Sequence, residues 1–441
     1  MVATRSGDSS GHREGKAEAW LRLGGNRNWQ LLWFGQSVSA VGDMVFYLTA
    51  LLWIATIIAK GEPWAPAAAS GALIASSAPA LIIGPIAGVY VDRWDRRRVM
   101  LVADAARCVL IASLLALPPL RHVIPVAAQL AILYAVIVAC SSFDQFFTPS
   151  RLAVLGAIVP ADFQPAASGR LSASFALSQV IGPPIAAPLL ITLGVQWALI
   201  VNAASFAVSF VTIRAIKVPW RADASPAEKE SFGREFRAGI RYFARSTVLV
   251  ALAAGMSAAL LGNGAINSLA VFFVQRDLHK PASWLGFVIG AVGIGAVAGA
   301  MLTGTVTKRI PAKQLFWIAL TGDGVFLLGF ARSTGIGIAL GFALLLGFFI
   351  GMVNSVMGPI ILGVTEQRFI GRVSAVLNPL LELASMIGML VAGIVASTVL
   401  AGFHVRIAGQ NVGPYDTVFM AGAILFLLGG LFAAVAMRER R

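Results

Sequence analysis

Five carboxylates stand inside long apolar runs of this sequence: Asp43, Asp104, Asp144, Asp323 and Glu382. An ionisable group surrounded by hydrocarbon is costly to keep and marks a functional site by default. Desolvation disfavours the charged form of an acid, so such a group can take a proton from one aqueous face and release it to the other. Asp43 lies twelve residues beyond Leu31. That is roughly 18 Å along a helix rising ~1.5 Å per residue, near the centre of a ~30 Å hydrocarbon core. Glu382 lies roughly 12 Å into its own run by the same rise. Asp144 stands nearer one end of its run, before Pro149. A structural acid bonded to neighbouring helices is the competing reading for each. Asp104 and Arg107 are three apart, the spacing of an ion pair on one helix face.

Neutral polar residues form a second set. Asn263 and Asn267 are four apart and share a helix face. Asn354 and Gln179, from other runs, can join them. Hydrogen bonding between helices explains these as well as ligand contact does. Phe46, Tyr47, Phe143, Phe146, Phe147, Phe272 and Phe273 can form an adaptable aromatic pocket, or simply pack.

The elements that must hold these groups follow from composition. The chain has 441 residues, 58% hydrophobic and 12% charged, with a mean hydropathy of +0.82. That charged share is about half that of a soluble protein. Apolar runs reach the ~20 residues that span a bilayer near 31–58, 67–91, 99–118, 124–148, 171–194, 196–216, 248–274, 284–306, 313–331, 336–364, 374–401 and 417–437. The expectation is an all-α membrane protein of twelve spans in two six-helix bundles. Residues 1–28 are a cytoplasmic arm, 29–216 the first bundle, 217–247 a cytoplasmic linker, 248–437 the second bundle and 438–441 a tail.

With both termini inside, 27 of the 34 Lys and Arg fall on cytoplasmic segments and six outside. That asymmetry obeys the positive-inside rule and accounts for the net charge of +14 without nucleic acid. Ser231–Arg245 interleaves Phe232, Phe236, Ile240 and Phe243 with four arginines, the pattern of an amphipathic helix on the inner leaflet. Cys108 and Cys140 stand inside spans, and the four histidines fall in the arm and loops, so no metal site is expected. No nucleophile elbow or Walker loop appears, which argues against an enzyme and against direct ATP drive.

Between the second and third spans the chain reads Gly88-Val-Tyr-Val-Asp92-Arg93-Trp-Asp95-Arg96-Arg97-Arg98. Gly-x-x-x-Asp-Arg-x-x-Arg-Arg resembles the signature loop of the major facilitator superfamily, with Asp95 where glycine is usual. The Asp-Arg-Trp-Asp-Arg-Arg-Arg form is similar to the macrolide-efflux and enterobactin-exporter branch. The resemblance implies a cytoplasmic gate in which Gly88, Asp92, Arg93, Asp95, Arg96 and Arg97 hold one bundle against the other. Span 5 carries Gly182-Pro183-Pro184, which resembles the helix-kink motif of exporters in that superfamily; an ordinary kink is the plainer reading. Gly42-Asp43 in span 1 resembles the same exporter branch, and also lysophospholipid transporters. The superfamily's cavity-lining spans would place Asp43, Asp144 and Glu382 at the cavity and leave Asp323 structural.

The halves echo each other: Gly169-Arg170-Leu-Ser-Ala and Gly371-Arg372-Val-Ser-Ala open spans 5 and 11, and Lys308-Arg309 follows Gly304 where the first loop's motif would recur. Repeated halves place a substrate site between them near mid-membrane. The spans carry several acids and almost no unpaired base, which favours a cationic or neutral lipophilic substrate. The expected function is therefore proton-coupled drug efflux by two rocking bundles in a bacterial inner membrane, with Asp43, Asp144 and Glu382 as coupling acids. The expected partners are a lipophilic small molecule, the proton and membrane lipids; the chain is expected to be monomeric, to need no cofactor, and to use protons, with sodium as the alternative. A lipid or lysophospholipid flippase or a siderophore exporter on the same fold, and a receptor or scaffold without transport, are the other readings.

Overall fold

A computed structural model describes residues 25–91, 94–217, 232–366, 369–403, 405–407 and 410–437. Asp92, Arg93, most of the N-terminal arm, the linker up to residue 231, and the C-terminal tail lie outside these described residues.

Among the described residues, twelve long helices cross the fold: α1 Arg27–Trp53, α2 Ala65–Ile82, α3 Arg96–Ser113, α4 Val126–Ile158, α5 Gln164–Pro188, α6 Val195–Ala215, α7 Thr247–Arg276, α8 Trp284–Val306, α9 Ala312–Ala331, α10 Ile336–Val364, α11 Ile370–Ile394 and α12 Pro414–Ala436. Eleven are long and apolar enough to span a membrane. The other, α5, is long enough, but Ser168, Arg170, Ser172, Ser174 and Gln179 make it more polar. Side-chain caps start several helices, which satisfies amide groups that have no partner within the helix. Asn26 accepts from the Trp29 amide at 3.1 Å and also donates to the Ile158 carbonyl at 2.8 Å, tying the start of α1 to the end of α4. Asp95 accepts from the Arg97 and Arg98 amides and so caps α3.

Close helix packing in a membrane relies on small residues. The α8–α10 pair uses two such stripes. Gly295 and Gly299 face the backbone of Leu344 and Phe348, while Gly347 and Gly351 face the carbonyls of Val292 and Ala296. Each helix thus offers a groove to the other, a device the residue pattern did not announce.

The bundles meet where α5 crosses α8 and where α2 crosses α11. Gly286 lies against the Pro183 carbonyl, a Cβ on Gly290 would stand 3.2 Å from Pro184, and Gly393 lies against Ser70. These positions fall in the first turns of α2 and α8 and the last turns of α5 and α11, at the end away from the arginine-rich turn. The Gly182-Pro183-Pro184 stretch thus serves as a packing surface: Gly182 takes Met44 of α1 on one side, and Pro183 and Pro184 take the α8 glycines on the other. The helix runs on through all three.

One expectation needs correction. The fourth span does not stop near 148 but continues to Ile158 through Pro149, so Arg151 is a helix residue and not part of a loop. The all-α expectation holds; beside the helices, one short hairpin, Val405–Ile407 (β1) and Gln410–Val412 (β2), pairs antiparallel before α12, with Val405 opposite Val412. The linker contains a helix over Phe232–Arg245. Its Phe243 is buried, and Tyr242 stacks on Phe369 with ring centroids 4.4 Å apart, so that part of its apolar face docks on the second bundle.

Candidate functional site

A cavity of about 770 Å³ opens along the face that the first bundle turns to the second. Its charged lining is Asp43 of α1, Arg107 of α3, and Asp144 and Arg151 of α4. Tyr47, Phe175, Gln179 and Asn202 add polar and aromatic surface, and Asn267 and Ile289 come from the second bundle.

Arg107 is the hub. Its Nη2 donates to Asp104 at 2.6 Å, the pair that the i,i+3 spacing predicts, and its Nη1 donates to Asp144 at 3.4 Å. The guanidinium is held between the rings of Phe147 and Phe206, at 4.4 and 4.5 Å. Asp104 is 0% exposed and Arg107 4%, whereas the Asp144 side chain is 49% exposed. Asp43 is only partly buried. It lies within the electrostatic reach of Arg107, Asp144 and Asp104, with the Ser39 hydroxyl as a hydrogen-bond partner. Three carboxylates thus share one guanidinium, two of them open to the cavity.

Arg151 occupies a different level. Its Nη1 donates to Gln36 Oε1 at 3.3 Å, and Gln36 Nε2 donates to Ser209 at 3.1 Å. Gln36 precedes Asp43 by seven residues, and Arg151 follows Asp144 by seven. Seven residues are about two helical turns, ~10.5 Å of rise, so α1 and α4, running antiparallel, build two matched levels. One carries Asp43 and Asp144; the other carries Gln36 and Arg151. The helix survives Pro149 between them, where the neighbouring Ser150 hydroxyl donates to the Phe146 carbonyl at 2.8 Å.

Of the residues singled out from the sequence, Asp43, Asp144, Gln179 and Asn267 reach this cavity together. Asn263, Asn354 and Glu382 are not among its lining residues. Asp323 is buried within the second bundle, away from it. The expected excess of acid does not hold along the lining, where two guanidiniums face two carboxylates. Arg151 lies beyond the apolar run that ends near 148, and the continuing helix carries it into the cavity. Phe175 and Asn202 carried no sequence signal beyond residue type.

In the arginine-rich turn, Asp95 and Arg97 have local work. Arg97 donates to the Ile213 carbonyl at 3.2 Å and to the Arg214 carbonyl, so it closes the C-terminal end of α6 within its own bundle. Asp95 pairs with Arg98 at 3.4 Å. Gly88 falls in a short helix, Gly84–Val91, that continues α2, and Arg96 opens α3.

Outside the spans, Asp277 follows the last residue of α7 with one carboxylate oxygen buried and unpartnered. Burial pushes its pKa up to about 7; the Asp416 carboxylate adds to the rise and Arg276 opposes it.

The sequence profile described as Major Facilitator Superfamily matches residues 32–389. The chain belongs to that superfamily. Macrolide efflux protein A of Streptococcus pyogenes is 21% identical, over 84% of this chain and 91% of its own length. Multidrug efflux pump Tap of Mycolicibacterium fortuitum is 25% identical, over 84% of this chain and 88% of its own. Among solved structures, a bacterial homologue of the iron transporter ferroportin in an inward-facing state superimposes with a TM-score of 0.71 at 15% identity, covering 93% of this chain and 99% of that one. As a superfamily member with eleven membrane-length helices and bacterial relatives, this chain is a multi-pass integral protein of the cytoplasmic membrane. It is a transporter whose relatives include efflux pumps, and its substrate is a small molecule.

Proposed function

We propose that the chain exports neutral or cationic lipophilic small molecules in exchange for protons, by rocking one six-helix bundle against the other. Both termini and the arginine-rich turn lie in the cytoplasm in this reading, which follows the positive charge. The observation that carries it is the placement of Asp43: an acid midway along α1, open to the cavity, sharing the field of one buried arginine with Asp104 and Asp144. The cluster of Asp43, Asp104 and Asp144 against Arg107 and Arg151 carries one negative charge in excess when all are ionised. A proton or a cationic group of the substrate can neutralise that excess, and competition between the two couples one movement to the other. The close packing of α5 on α8 and α2 on α11 seals the far end, which leaves access from the cytoplasm and favours export as the direction of loading.

The test is transport of tetraphenylphosphonium, a lipophilic cation, in proteoliposomes under an imposed pH gradient. Asp43→Asn is expected to abolish gradient-driven movement while the protein remains folded and monodisperse. Full gradient-driven transport by that variant would overturn the assignment of Asp43. Transport that follows a sodium gradient alone would replace the proton as the coupling ion.

A further inference from the structure

We propose that Arg151 is an anion subsite, and that the cavity takes dipolar substrates carrying both an ammonium and a carboxylate group, one for each of its charged levels. The inference rests on reading the cavity as the substrate site; it does not depend on which acid couples transport to protons.

The two cavity arginines are in opposite situations. Arg107 holds two carboxylates and lies between two rings. Arg151 lies within 4 Å of no carboxylate among the described residues; its polar contact is the neutral Gln36 Oε1 at 3.3 Å. Its Nε is buried and has no partner. A guanidinium carries five N–H donors in a planar fork, so most of this one's capacity is unspent. Asp144 acts on Arg151 through the cavity without touching it, so a carboxylate arriving with a ligand can still add two parallel charge-assisted hydrogen bonds.

The group is also held ready. The guanidinium lies over the Phe175 ring at 4.7 Å. Gln36 is itself fixed by its bond to Ser209, which turns Oε1 toward Arg151. Fixing the fork beforehand lowers the entropy lost when a ligand binds. The remaining acidic level, Asp43 with Asp144, lies two turns away on the same pair of helices and presents carboxylate to the same cavity. A ligand with a cationic end and an anionic end satisfies both levels at once. A tripeptide with both termini free carries one such group at each end.

The experiment is equilibrium binding to the full chain in nanodiscs at pH 7 with no gradient. The probes are the tripeptide Phe-Ala-Phe with both termini free and the same peptide amidated at its C-terminus. The wild-type protein is expected to bind the free-terminus peptide at least tenfold more tightly. Arg151→Gln is expected to collapse that ratio to near one, and Arg151→Lys to keep part of it. A wild-type protein that does not discriminate, or binds neither peptide, overturns the proposal without recourse to any variant. Discrimination that survives in Arg151→Gln overturns it as well. If Asp43→Asn still transports under a pH gradient, the proton-exchange reading fails and this result stands, because binding here is measured without coupling.

Discussion

Arg107 reaches back one turn to Asp104 at 2.6 Å, where Asp104 is fully buried and Arg107 nearly so. Taking both charges out of water is expensive, and the pair offsets that cost only while both partners remain. Removing one leaves a buried charge with nothing against it. Arg107→Gln is therefore expected to destabilise the protein by ~3–5 kcal/mol. The double variant Asp104→Asn with Arg107→Gln should recover part of that loss, because the buried Asp104 charge is gone while Asp144 still lacks its partner. Thermal unfolding of the four proteins of the cycle in one detergent measures the coupling. Additive losses would show that the two residues act separately.

The α8–α10 stripe makes a second prediction. A Cβ on Gly299 would collide with the Phe348 carbonyl, and one on Gly347 with that of Val292, and both obstacles are backbone that cannot rotate away. Gly299→Leu should force the helices apart at a cost of ~1–3 kcal/mol or more. Gly304→Ala, on the same helix but with nothing within 4 Å of the new atom, should be tolerated. The monodisperse fraction on size exclusion after mild heating separates the two.

Asp277 predicts a pH dependence of stability. Its pKa stands at about 7 in the folded protein, against an ordinary value of 3.8. Between those values the folded protein holds the proton and the unfolded chain does not. Stability therefore falls as pH rises from about 4 to about 7, and this contribution is flat above. Partial exposure reduces the effect to on the order of 1 kcal/mol. Asp277→Asn should remove that slope and raise the thermal midpoint at pH 8 with little change at pH 4. An unchanged profile in the variant would place the titration elsewhere.

Neighbouring arginines of the signature turn should behave differently. Arg97 donates to two carbonyls at the end of α6, and among the described residues the Arg98 side chain pairs with Asp95 in an exposed contact. Charge-assisted bonds of the first kind contribute ~1.5–3 kcal/mol; an exposed pair contributes at most about 1. Arg97→Gln should lower the thermal midpoint by several degrees and Arg98→Gln by little. Equal effects would contradict the local role assigned to Arg97.

The sequence by itself determined the architecture. Runs such as 284–306 and 336–364 are apolar all round, and in a bilayer a single chain segment of that kind has to close its hydrogen bonds as a helix. It also determined that Asp104 and Arg107 would pair, because three residues on a helix bring two side chains to one face. Asp43 was legible for the same reason, since depth in a span follows from counting residues. What tertiary structure decided was which groups meet across helices. Pro149 reads as a helix end, and only the packed α4 shows the helix continuing to bring Arg151 level with Gln36. Glu382 is as deep as many cavity residues, yet it is not among those that line the cavity. The α8–α10 glycines look unremarkable until a second backbone lies on them. Local periodicity fixes the direction of a side chain within its own helix, but the azimuth of one helix against another is set by packing of residues far apart in the chain.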